Sequence, residues 1–176
     1  MSWVVQAPGS DLRGDEKKLF SRARQTLWEY EPLRASHAEI NIGIRGHVVH
    51  LLGRVRTLNQ KVLAELLVRR MSDVADVVND LVADPEVVRA VADALAADPR
   101  TAPSIVQVDA RHGVVFLRGQ VPDAATAQAA IEIASRLPTT ALVRSLLTIG
   151  GPVYPPAAVV QHHGAAALAP EAAVHP

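Results

Sequence analysis

Few residues in this 176-residue chain have the type and spacing to do chemistry. Seven histidines, His37, His47, His50, His112, His162, His163 and His175, are the natural candidates for proton transfer or metal ligation. His47 and His112 fall in short polar turns, where a solvated imidazole is the expected state. His50 alternates with Val49 and Leu51 and so points away from the face those two share. His162 and His163 adjoin in a Pro/Ala tract and are able to chelate adventitious metal. The chain has no Cys, which excludes thiol catalysis, a disulfide framework and thiolate-held zinc or iron–sulfur clusters. No H-E-x-x-H, P-loop or nucleophile-elbow pattern occurs. With no clustered acid, base or nucleophile, the expectation is a non-enzymatic protein without metal or cofactor.

Charge narrows the partners. Eighteen Lys and Arg balance eighteen Asp and Glu, so the basic excess of a general nucleic-acid binder is missing. The hydrophobic share is 49%, carried mostly by Ala, Val and Leu, and only 3% of residues are aromatic. That is enough for a buried core in one ordinary domain or two small ones. The first ten residues lack the basic and apolar regions of a signal peptide, and no run approaches the ~20 apolar residues needed to cross a bilayer. The expected location is the cytoplasm.

An internal repeat organises the rest. At a spacing of 66 residues, Val48–Val55 aligns with Val114–Val121, with five of eight positions identical. The same offset pairs Ile40, Ile42 and Ile44 with Val106, Val108 and Ala110, and Val77 and Leu81 with Val143 and Leu147. Each copy opens with apolar residues at helical spacing: Leu19, Ala23 and Leu27, then Val87, Val91 and Leu95. Asp84 is the expected cap of the second of these helices, with Pro85 at its first turn. Alternating strands follow, joined by tight turns at Arg45-Gly46-His47 and Arg111-His112-Gly113. Thr57 to Gln60 fits a capping box for the next helix, and Asp123 starts its counterpart. Val62, Leu66 and Met71, and then Ala127, Ile131, Ala134 and Leu137, are the expected buried stripes. A last strand closes each copy, at 74–82 and 141–149.

The expected fold is therefore α+β. It consists of two tandem α-β-β-α-β modules, each with two helices packed on a three-stranded sheet. Residues 1–15 form an N-terminal extension, 16–83 the first module, 84–150 the second, and 151–176 a Pro/Ala-rich tail. That tail holds five Pro and eight Ala, and is expected to be disordered.

The stretch Gly113–Val121 has the pattern G-V-V-x-L-x-G-x-V. It resembles the central hairpin of the BON domain (bacterial OsmY and nodulation). The first copy carries it as His47–Val55, with Gly46 one place early. Val74–Leu81 matches a closing V-x-x-V-x-N-x-L, reduced in the second copy to Val143, Ser145 and Leu147. The resemblance implies a non-enzymatic binding module. Such modules are associated with envelope stress, phospholipid surfaces and, in some members, potassium sensing.

Alternation assigns the remaining candidates. With Val49, Leu51 and Val55 turned to the helices, Val48, His50, Leu52 and Arg54 face away; Val114, Phe116, Arg118 and Gln120 do so in copy two. Half-apolar outer faces mark an interaction surface. Its candidate residues are Val48, Leu52, Arg54, Val114, Phe116 and Arg118. Gly53 and Gly119 are structural glycines, expected to let a helix approach the sheet. Asn79 is expected to bond across to a turn, and Ser145 less well. The expected function is a binding or scaffold protein, stress or envelope associated, acting through a protein partner or self-association. The alternative is a phospholipid-surface or potassium-ion binding module.

Overall fold

The computed structural model describes residues 14–150. The N-terminal extension up to residue 13, the Pro/Ala tail and its three histidines lie outside the described residues. The first module runs α1 (Gly14–Glu29), α2 (Glu31–Ala35), β1 (Glu39–Arg45), β2 (Val48–Val55), α3 (Leu58–Arg69) and β3 (Asp76–Ala83). The second follows without a linker: α4 (Asp84–Ala97), β4 (Ile105–Arg111), β5 (Val114–Val121), α5 (Ala124–Arg136) and β6 (Leu142–Ile149). The class is α+β, in two similar modules. Each sheet has its middle strand paired antiparallel to the first and parallel to the last. The short α2 is an addition to the expected order. Its one buried residue, Leu33, completes the core beneath α1.

Alternation along the middle strands builds both cores. Val49, Leu51 and Val55, and likewise Val115, Leu117 and Val121, are fully buried beneath the helices. Each hairpin closes on two residues. In the second, His112 and Gly113 both have positive φ, the pattern of a type I′ turn; in the first only Gly46 does. A first-turn carboxylate steadies each tip. The Gly46 amide donates to Glu16 Oε1 at 2.8 Å, and the His112 and Gly113 amides donate to Asp84. Asp84 is therefore not the helix cap. It is the first residue of α4, and it is buried against the hairpin, which raises its pKa despite those two bonds. The free Ala83 amide at the helix start donates instead to Glu86, at 2.7 Å.

The capping boxes of the later helices hold better. Thr57 accepts from the Gln60 amide while Gln60 accepts from Thr57, and Asp123 accepts from the Thr126 amide. The stripe expected on α3 is corrected. Val62 and Leu66 are 54% and 44% exposed, and Ala64 and Val68 are buried in their place. Ala64 and Val68 lie on the side of α3 turned to the sheet, which leaves Val62 and Leu66 on the side turned to water. In α5 the buried positions are Thr126, Ala129, Ala130, Ile133 and Ala134; Ile131 and Leu137 pack only partly against them.

The modules meet at a fixed junction. Lys61 Nζ reaches both carboxylate oxygens of Glu86, at 2.9 and 3.1 Å. Burial works to raise the Glu86 pKa, but the Ala83 amide and Lys61 outweigh it and hold the group below its usual value. Val82, on the outer side of β3, packs against the second core, and the Arg54 side chain lies against Gly113.

Candidate functional site

Strand register decides which side chains share the outer faces. On the first sheet, Val48, His50, Leu52 and Arg54 stand beside Arg45, Asn41 and Glu39 of β1 and beside Asp76, Val78 and Asp80 of β3. Leu52 is exposed, Val48 is half-buried, and Arg54 is half-buried where it crosses to the second module. This face is mixed, with acids prominent along β3.

The second sheet presents a different surface. Val114, Phe116 and Arg118 align with Leu142, Arg144 and Leu146 of β6, and with Arg111, Asp109 and Gln107 of β4. Ile105, Leu142 and Leu146 are 58%, 50% and 55% exposed. Val114 and Phe116 between them are half-buried. The Arg118 guanidinium sits 5.9 Å from the Phe116 ring centroid and pairs with Asp109 at 3.9 Å. Arginines 111, 118 and 144 face a single acid, Asp109. The result is an open apolar patch within a basic surround. Each large apolar side chain left in water forgoes about 1.5–3 kcal/mol relative to full burial.

Alternation and register agree on the outer sides for the strand-centre residues, but alternation misses Ile105, Leu142, Leu146 and Arg144. Their only signal lies in the pairing of β4 and β6 with β5, which no single strand reveals. The two outer faces do not cover one another. The first face meets the second module at one end, through Arg54 and Val82.

The structural glycines are corrected in their neighbours. Gly53 and Gly119 have φ of +121° and +125°, and a Cβ would meet the carbonyl of Glu39 or Ile105 on the adjacent strand, not a helix. Asn79 bonds a helix instead of a turn: its amide donates to the Lys61 carbonyl at 3.0 Å and to Glu65 at 3.1 Å, tying β3 to α3. Ser145 manages only a 3.5 Å bond from the Leu147 amide. Among the described residues, no group of three or more His, Asp or Glu comes together to hold a metal, and no helix is long and apolar enough to cross a membrane.

Comparison with known proteins follows this geometry. Two solved structures of CdsD, a structural protein of the type III secretion system of Chlamydia trachomatis, are similar in fold. One, of its C-terminal domain, aligns at 15% identity over 66% of this chain and 60% of that chain, with a TM-score of 0.54. The other aligns at 15% identity over 75% of this chain and 61% of that chain, with a TM-score of 0.57. The chain therefore spans about three fifths of their length, and the likeness is one of fold alone. No curated protein matches the chain. The BON domain profile matches twice, at residues 28–85 and 83–151, each match running through one helix-covered sheet. The chain belongs to the BON domain family, with two copies of the domain in tandem.

Proposed function

We propose that this is a non-enzymatic binding or scaffold protein whose second module presents its outer sheet face to a protein partner or to another copy of itself. One observation carries the reading. Leu142 and Leu146 stand exposed on β6 beside Val114 and Phe116, with Ile105 exposed on the opposite edge strand of the same face. The likeness to a structural protein of a secretion system supports an assembly role, here within a stress response or an envelope-associated complex. A cytoplasmic position is part of the same proposal. Sedimentation of the full chain tests it: the parent should self-associate or co-sediment with its partner. Leu142→Asp with Leu146→Asp should abolish that with secondary structure intact. Unchanged association would remove the reading's support.

A second reading is favoured by the three arginines on the same face, Arg111, Arg118 and Arg144, which suit an anionic phospholipid surface. Flotation with phosphatidylserine vesicles separates the two. Lipid binding lost on Arg118→Glu with Arg144→Glu, without any protein association in the parent, would select the membrane.

A further inference from the structure

Between the modules lies a cleft of about 620 Å³, within the roughly 300–1,000 Å³ range of ligand sites. It meets the outer face of the second sheet only along the β4 edge, where Asp109 and Arg111 belong to both. One wall is the start of α3 with Arg56; the other is α4 with Val88 and Arg89; and the consecutive residues Val108, Asp109, Ala110 and Arg111 of β4 run along it. Consecutive strand residues point to opposite faces, so all four can border one cleft only where it follows the strand's edge. β4 is an edge strand, with β5 as its only neighbour in the sheet among the described residues. The two-residue turn makes Arg111 and Val114 a hydrogen-bonded pair, so Asp109 also turns its backbone groups to β5. Val108 and Ala110 must then direct theirs into the cleft. One bond checks this phase: the Ala110 amide donates to Asp109 Oδ1 at 2.9 Å, as a group outside the ladder can.

The charges select the occupant. Both acids of the cleft are engaged, Asp84 by the hairpin amides and Asp109 by Ala110 and Arg118. Arg56 and Arg111, one from each module, make no ion pair with a described residue; Arg56 only acts on Asp84 at longer range. In the first module Ile42, Gly43 and Ile44 of β1 are all buried, whereas in β4 Val108 and Asp109 are half-buried and only Ala110 is buried. We infer that the inter-module cleft receives an extended acidic peptide, which adds as a strand to the free edge of β4 while Arg56 and Arg111 take its carboxylates. Backbone pairing supplies the docking and the arginines the choice of sequence. The site needs both modules, so neither binds such a peptide alone.

The test uses the full chain and a blocked six-residue peptide alternating valine and glutamate. Titration should shift the Val108 and Ala110 amides and slow their hydrogen exchange. Arg56→Glu with Arg111→Glu, both exposed, should weaken binding roughly tenfold or more without altering the melting transition. The same peptide N-methylated at alternate residues, or with lysine for glutamate, should not bind. Equal binding by the N-methylated peptide overturns strand addition, and equal binding by the lysine peptide overturns the charge selection. Shifts confined to Phe116, Leu142 and Leu146 would assign the peptide to the outer face instead. Full competition by inorganic phosphate would reduce the cleft to a small-anion site.

Discussion

β3 and β6 hold the same place in their modules but differ in what covers them. In β3, Val77, Leu81 and Ala83 are buried, and Asn79 is pinned to α3. In β6 the matching Val143 and Leu147 are only half-buried, while Ser145 and Ile149 are exposed. The chain beyond β3 turns directly into α4, and the second module closes that end of the first sheet through Val82, Glu86 and Arg54. Nothing equivalent follows β6 among the described residues. Two copies of one unit therefore differ in how far their closing strands are covered.

The largest expected effect tests whether the modules are separate folding units. Leu117→Asp buries an unpaired charge beneath the α4–α5 layer and should unfold the second module, a loss above about 4 kcal/mol. Leu51→Asp should do the same to the first. Residue-resolved hydrogen exchange should show protection lost in one module and largely kept in the other. Joint collapse from either substitution would mean one cooperative unit.

A smaller effect compares the glycines. Gly53→Ala and Gly119→Ala each force a side chain into left-handed backbone and against a strand carbonyl, costing about 1–3 kcal/mol in strain. The closer carbonyl approach at Gly53 should make that variant the less stable of the two by chemical denaturation. Equal stability would show that φ alone matters there.

A comparable effect at one hairpin tip and the smallest at the other complete the comparison. Asp84→Ala leaves two turn amides without their acceptor and should cost about 1–3 kcal/mol, while Glu16→Ala, on an exposed tip, should cost under about 1 kcal/mol. The pH dependence has a fixed sign. The Asp84 pKa is raised, so its contribution is fully present below the unfolded value of 3.8 and is lost as pH rises through the folded pKa. A carboxyl titration midpoint for Asp84 at or below 3.8 would contradict its burial.

Much of this fold is legible in the amino-acid sequence, and the gaps have physical causes. The repeat, both hairpins and the inward faces follow from period-two alternation, since a strand's side chains can only alternate. Thr57 and Asp123 are readable as caps because capping is local. The same local logic misassigns Asp84: its side chain has a distant claim, the hairpin tip, that outweighs the near one. The α3 stripe goes astray at Val62 and Leu66, which are as periodic as Ala64 and Val68, while Met71 just beyond the helix is buried as expected. Periodicity names a face without saying which one the sheet will take.

The order of residues is enough to specify the unit, its duplication and its strand faces, and it holds no familiar catalytic pattern. These depend on short-range backbone geometry and on which side chains avoid water. Folding in three dimensions is what sets β6 beside β5 with Leu142 and Leu146 on the Phe116 side, and the β4 edge toward Arg56. Both depend on contacts between segments far apart in the chain. Such contacts are set by how closely Ala-rich helices seat on a sheet and by which acid satisfies which amide.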